Sequence, residues 1–360
     1  MSTYSPSEFP PTAQLETDAV LRALVPAHRY LAELKGLARS IPNEGLLIST
    51  LSLQEAQSSS EIENIITTQD ALYKYQIQPR NADPVSKEVA HYATGLEIGA
   101  RQVRASGLLT LNTILAVQEA LEGNTAGFRT TPGTVLQNQQ SGEVVYTPPS
   151  PERIGELMSE LEKFIHGESP LDPLVKMALI HHQFETIHPF YDGNGRTGRI
   201  INILYLVKEQ LLDTPILYLS RYVSQTKAEY YHGLQQVHDH DEWEPWLVYM
   251  LKGVASTSRH TTRLVEGIAR LLQKHKQEIR GRYRFYSQDL INNIFRHPYT
   301  KVAFMERDLK VSRATATRYL DILARDGILT KQRLGRENYY TNHELVNLLF
   351  NMPALDMAPA

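Results

Sequence analysis

Cysteine is absent from all 360 residues. That excludes disulfides, thiolate metal sites and a cysteine nucleophile. Long apolar runs are missing as well: no stretch of about 18 uncharged apolar residues occurs, so no membrane-spanning helix is expected. The opening stretch, MSTYSPSEFPPTAQLE, lacks the basic region and apolar core of a signal peptide. The expectation is a cytoplasmic protein with no membrane partner, whose chemistry comes from histidines, carboxylates, hydroxyls and cations. A strong net charge is missing too, the total being −3. The balance is uneven, however. Residues 280–340 hold thirteen Lys and Arg against six Asp and Glu, a local +7 that leaves about −10 to the rest. Such asymmetry suggests a module with a partner of its own, nucleic acid being the usual one.

What is present is mostly helical pattern. Apolar residues recur at three- and four-residue spacing in 19–37, 154–165 and 174–187. Asp172 followed by Pro173 makes a good helix start, since an N-cap acceptor precedes a residue suited to the first turn. A further helix is expected from Asn194 through IINILYLV, apolar on all sides and so central to a bundle. The exception is 129–149, RTTPGTVLQNQQSGEVVYTPP, where turn residues punctuate two short β-prone runs and predict a hairpin or flap. Residues 251–277 read as a cation-rich connecting helix without apolar excess, which places a domain boundary there. The proline-rich first eleven residues read as a loose arm.

The most informative segment is His188-Pro189-Phe190-Tyr191-Asp192-Gly193-Asn194-Gly195-Arg196-Thr197-Gly198-Arg199. Two glycines flank Asn194 ahead of a long helix, so unblocked amides at its positive end form an anion site. Arg196 and Arg199, three apart on the first turn, aim at the same anion. Polyphosphate suits this better than a single carboxylate. Asp192 supplies a hard oxygen beside the phosphates, as Mg²⁺ requires. His188 can take a proton near neutral pH. A base, a magnesium ligand, an amide cradle and two arginines are the parts of nucleotidyl or phosphoryl transfer.

The segment resembles the Fic family signature HxFx(D/E)GNGRxxR, matching it at His188, Phe190, Asp192, Gly193, Asn194, Gly195, Arg196 and Arg199. The resemblance implies transfer of AMP from Mg·ATP to a Tyr, Thr or Ser hydroxyl of a protein target, self-modification included, with pyrophosphate leaving. His188 would be the base and Asp192 the Mg²⁺ ligand. Asn194 with the Gly193 and Gly195 amides would bind the α-phosphate, Arg196 the β-phosphate and Arg199 the γ-phosphate. The phosphate-transferring Doc branch replaces the second glycine and has lysine where this chain has Gly195 and Arg196, so AMP transfer is favoured. The 129–149 hairpin resembles the family's target-binding flap, which adds a strand to an extended target loop.

Upstream, EAQSSSEIENI matches the family's inhibitory pattern (S/T)xxxE(G/N) at Ser59, Glu63 and Asn64. By that resemblance, Glu63 and Ser59 share one helical face, and Glu63 forms a bidentate pair with Arg199 that keeps it from the γ-phosphate. ATP would then bind, through Glu63 among other contacts, with its phosphates misaligned for in-line attack.

Residues 302–309, 310–312 and 313–325 read as helix, turn and helix, with Ser312 as N-cap and Ala316, Leu320 and Leu323 as the buried face. Arg313, Thr317 and Arg318 would point outward. Gly327 ends the second helix, and 328–341 reads as a wing carrying Lys331, Arg333 and Arg336. This resembles a winged helix-turn-helix, whose second helix enters the DNA major groove, although such modules also serve as protein contacts.

Weaker groupings remain. His181, His182, Glu185 and His188 have helical spacing for a zinc site, but not in HExxH order. His238 to Glu242 reads as a solvated loop above Trp243 and Trp246. Tyr222, Tyr230 and Tyr231 are candidates for an adenine pocket and equally for the core.

The expected architecture is therefore mainly α: a Fic helical bundle with a β-hairpin flap, plus a C-terminal winged helix domain. Its divisions are an N-terminal helical region with the inhibitory helix at 1–95, a Fic catalytic core at 96–262 and the winged helix at 275–350. ATP, a protein target, DNA and a second copy of the chain are the candidate partners. The competing readings are a transcription regulator using the Fic fold as an ATP sensor, and a metal-dependent hydrolase.

Overall fold

The computed structural model describes residues 5–351, 354 and 355, apart from 42, 80–82, 138–141 and 336. Arg336 of the wing, the 138–141 part of the flap and the first four residues of the arm lie outside that set.

Helices dominate because the sequence supplies both their starts and their stops. Helix α1 (Asp18–Ala38) is opened by Thr17, whose hydroxyl accepts from the Val20 amide. Helix α2 (Glu44–Ile62) is opened by Asn43, and α3 (Gln69–Ile77) by Thr68. Helices α4 (Pro84–Ser106) and α5 (Leu111–Glu122) each stop at a glycine in the left-handed region, Gly107 and Gly123. The flap follows as β1 (Leu136–Gln137) and β2 (Val144–Tyr146), antiparallel with Leu136 opposite Tyr146.

Helix α6 (Pro151–His166) precedes the central pair, α7 (Pro173–Ile187) and α8 (Asn194–Lys208). Both have buried residues around nearly their whole circumference, as the lack of a polar face in their sequences predicts. Asp172 caps α7 as expected, its Oδ1 accepting from the Leu174 amide at 2.8 Å. Around them stand α9 (Leu219–Gln225), α10 (Lys227–His240) and α11 (Trp243–Arg282).

Two expectations need correction. Helix α11 is one 40-residue helix, and its 251–277 stretch carries the apolar excess that composition did not suggest. Its Val254, Leu264, Val265, Ile268, Leu272 and Ile279 are buried in one stripe along the helix, much of it against α1. The intervening cations hid that stripe from a reading of composition. The described part of the N-terminal arm is not loose either: the Gln183 amide donates to the Pro6 carbonyl at 2.9 Å, and Phe9 packs edge-on against Phe164.

The basic region forms α12 (Gln288–Arg296), β3 (Tyr299–Lys301), α13 (Val302–Leu309), α14 (Arg313–Arg325), β4 (Thr330–Leu334), β5 (Glu337–Thr341) and α15 (His343–Phe350). The strands make an antiparallel sheet in the order β3-β5-β4. Ser312 caps α14, and Ala316, Leu320 and Leu323 are its buried residues. Arg313 and Arg318 are exposed and Thr317 is partly so. This is the expected order of helix, turn, helix and a two-stranded hairpin.

Candidate active site

The loop 188–193 owes its shape to two left-handed residues. His188 ends α7 at φ 48° and Gly193 opens α8 at φ 76°. A left-handed histidine is uncommon and costs about 1 kcal/mol or more, so it persists only where its surroundings fix it. Those surroundings are visible. The Asn194 side chain closes the loop from below, its Oδ1 accepting from the Phe190 amide at 2.8 Å and its Nδ2 donating to the Phe190 carbonyl at 2.9 Å. Phe190 is fully buried against Phe128 and Phe184. Arg129, itself buried, donates from Nε to the His188 carbonyl at 2.9 Å and from Nη2 to the Pro149 carbonyl. The Tyr146 hydroxyl donates to the Thr186 carbonyl at 2.9 Å, and the Thr130 amide donates to the Tyr191 hydroxyl at 2.8 Å. The two ends of the flap are thus tied to the end of α7 and to the loop that carries His188.

Burial pushes the His188 imidazole down to about 4, against the opposing pull of the Glu185 carbonyl and the Glu63 and Asp192 carboxylates. At neutral pH it is therefore uncharged, the form that accepts a proton. Asp192 stands outside, its side chain 80% exposed, with Oδ1 accepting from the Gly193 amide at 2.7 Å.

At the head of α8 the two arginines are buried and already engaged. Arg199, with a side chain 1% exposed, donates from Nε to the Ser59 hydroxyl at 2.8 Å, and from Nη2 to the Ser59 carbonyl at 3.0 Å and Glu63 Oε1 at 2.7 Å. The expected bidentate pair with Glu63 is replaced by this spread over three acceptors, because Glu63 lies just past the end of α2 as its C-cap rather than within it. Burial disfavours the Glu63 charge, but Arg199 beside it, with Arg196 and Lys227 farther off, holds the carboxyl below its ordinary value. A Cβ built on Gly195 would lie 2.5 Å from Glu63 Oε1. The carboxylate thus rests against the first turn of α8, where an anion would bind.

Arg196 donates from Nη1 to Glu88 at 2.9 Å and from Nη2 to Glu122 at 3.0 Å. Asn194 differs from expectation: its side chain is consumed by the loop, which leaves its backbone amide as the group to meet an anion. The amide of Gly193 is likewise turned onto Asp192.

The weaker groupings separate. His181 stacks on Trp246 and lies 2.8 Å from the Tyr230 hydroxyl through Nε2, and burial pushes its imidazole down to about 3. Among the described residues no group of three or more His, Asp or Glu converges as a metal site. Residues 238–240 finish α10 rather than forming a loop. Tyr222 and Tyr230 are core; Tyr231 is 45% exposed.

Family models locate this geometry among known proteins. Residues 21–101 match the Fic/DOC family N-terminal model, 108–206 the Fic/DOC family model, and 271–345 the C-terminal domain of SoFic-like protein adenylyltransferases. The chain belongs to the Fic/DOC family. Among curated relatives, a probable protein adenylyltransferase of Aquifex aeolicus is 29% identical over 179 residues, 48% of this chain and 53% of the relative. The Fic-1 protein adenylyltransferase of Caenorhabditis elegans is 32% identical over 109 residues, 30% of this chain and 20% of the relative. The match therefore spans about half the length of the first and a fifth of the second. A solved Fic family protein from Desulfovibrio desulfuricans shares the fold at TM-score 0.58, with 21% identity over 92% of this chain and 98% of that one. C. elegans Fic-1 does so at 0.51, with 21% identity over 70% and 73%.

Glu88, Glu122 and Arg129 of this Fic site escaped the sequence reading, and Glu185 entered it only as part of the zinc grouping. The Glu185 Oε1 is buried without a partner, and burial pushes its carboxyl up to about 7. None carries a local signal, since each is an ordinary charged residue until folding brings it to the loop.

Proposed function

We propose that the chain transfers AMP from ATP to a Tyr, Thr or Ser hydroxyl of a protein, itself included, and that Glu63 restrains the reaction. The observation that carries this is the pairing of a neutral, partly buried His188 with two buried arginines on one helix N-terminus. The target oxygen would form a bond to the α-phosphorus, its proton would pass to His188, and the bond to the leaving pyrophosphate would break. Arg196 and the Asn194 and Gly195 amides are assigned to the phosphates. Asp192 fits Mg²⁺, because its exposed carboxylate keeps Oδ2 free beside the cradle. A bound Mg²⁺ would neutralise charge on the phosphate oxygens.

The Glu63 contact with Arg199 supports self-inhibition, since an arginine held by Ser59 and Glu63 is not free to align a γ-phosphate. The family's flap role is assigned to β1 and β2, whose Val144 and Val145 are exposed. The C-terminal region is read as a winged helix domain. Exposed Arg313 and Arg318 on α14 support a DNA contact there, and a wild-type protein without salt-dependent DNA affinity would refute it.

The test incubates wild-type, Glu63→Gly and Glu63→Gly/His188→Ala proteins with Mg²⁺ and ATP labelled at the α-phosphate. Label should rise at least tenfold in the single variant and vanish in the double, with ATP binding retained. Measurable ATP binding with no label in any of the three would favour the sensor reading instead.

A further inference from the structure

Arg196 is held from outside its own motif. Glu88 stands in the first turns of α4 and Glu122 is the last residue of α5, 108 and 74 residues upstream. The arginine side chain is 3% exposed, and each terminal nitrogen donates to a different carboxylate, at 2.9 and 3.0 Å. A planar guanidinium gripped at both ends cannot turn about its last bonds. Its remaining N–H groups therefore keep a fixed direction. The end of α5 is also fitted to the loop: a Cβ on Gly193 would collide with Glu122 Oε1 and meet Leu121 Cδ2 at 3.0 Å. Gly193 thus serves two needs, a left-handed backbone and room for Glu122 beside Arg196.

We propose that Glu88 and Glu122 are positioning residues for the nucleotide, fixing Arg196 in the orientation that meets the β-phosphate. The inference rests on the polyphosphate reading given above. Holding the arginine in place before nucleotide arrives removes the ordering cost that a free side chain would meet on binding. The two glutamates also let a cation stay buried while the cradle holds no anion. The Glu122 carboxyl is pushed up by burial and drawn down by Arg196, with Asp192 and Glu88 opposing the arginine. The carboxylates facing Arg196 are therefore Glu88, Glu122 and Asp192, with Glu63 farther off, and the two that contact it directly come from helices that flank α8.

The experiment compares AMP with ADP, which differ by the β-phosphate, by titration calorimetry with Mg²⁺. The Glu63→Gly chain serves as background, so that no carboxylate competes at Gly195. Arg196→Ala should weaken ADP at least tenfold and AMP less than twofold. Glu122→Gln and Glu88→Gln should each weaken ADP about three- to tenfold and leave AMP within twofold, and neither should add to Arg196→Ala. Unchanged AMP binding also shows that a variant is folded, and the partly exposed Glu88 offers the milder replacement. If Arg196→Ala removes the ADP preference while both glutamine variants keep it, the positioning role is overturned and the cradle reading stands. Tighter ADP binding in either glutamine variant would overturn it as well, marking the glutamates as a latch. If Arg196→Ala itself leaves the preference unchanged, the cradle reading and this one fall together.

Discussion

Residue by residue, the site runs on charges kept where water is scarce. Glu63 is the clearest case for pH. Its carboxyl is held below the ordinary value by Arg199, outweighing burial. For a carboxylate lowered in the folded state, the stabilisation of the charged pair is complete above the ordinary value near 4.5 and is lost only as pH falls through the lowered one. The restraint on Arg199 should therefore persist through mild acid. The ratio of label incorporation in wild-type to Glu63→Gly protein is expected to stay constant, within about twofold, from pH 8 to pH 5. A ratio that climbs toward one between pH 7 and pH 5 would show that protonation opens the contact. His188, pushed down to about 4, stays neutral over the same range and does not confuse the comparison.

At the scale of elements, the position of the arginines depends on how closely three helices approach. Gly95 and Gly99 lie one turn apart on the same face of α4. A Cβ on Gly95 would meet the Val117 carbonyl of α5 at 3.1 Å. One on Gly99 would lie 2.5 Å from Leu204 Cδ1 of α8 and 2.9 Å from Val117 Cγ2. The helices that carry Glu88, Glu122 and Arg196 are thus in contact at two glycines. Alanine is the better helix former by about 1 kcal/mol. Overpacking should nonetheless win, and Gly99→Ala is expected to destabilise the protein by about 1–3 kcal/mol. Thermal unfolding checks this, and a raised midpoint would mean that α8 can retreat without cost.

For the whole molecule, the C-terminal region is packed onto the segment that carries the inhibitor. Tyr73 of α3 is fully buried between Tyr299 and Phe350, with ring centroids 5.5 and 5.9 Å away. The Tyr299 hydroxyl donates to Asp70 at 2.6 Å, and Lys301 Nζ donates to the Ile77 carbonyl at 2.7 Å. On α2 itself, Gln54 donates to the Leu349 carbonyl at 3.1 Å, and Ser49 to that of Arg296 at 3.0 Å. These contacts hold α2 and α3 against the C-terminal region. Tyr299→Ala, which removes a buried aromatic at a cost on the order of 3 kcal/mol, should raise label incorporation several-fold when Glu63 is present. The same change in the Glu63→Gly chain should have no effect. An equal rise in both backgrounds would exclude a route through the inhibitor.

The sequence by itself determined the helical class, the caps, the 188–199 loop and the helix-turn-helix order. Those features are local: a periodicity of three and four, Asp172 ahead of Pro173, Ser312 ahead of α14, glycines around Asn194. It also pointed to Ser59 and Glu63 through their resemblance to the family's inhibitory pattern. Only the tertiary structure decided what each charged group meets. It spread Arg199 over Ser59 and one oxygen of Glu63, turned the Asn194 side chain inward, and brought Glu88, Glu122 and Arg129 to the loop from far along the chain. It also showed that α11 carries a buried apolar stripe, which acquires meaning only against α1. Local backbone preferences depend on neighbours a few residues away and can be read in order. The partner of a buried charge is set by packing between distant segments, and no local pattern records it.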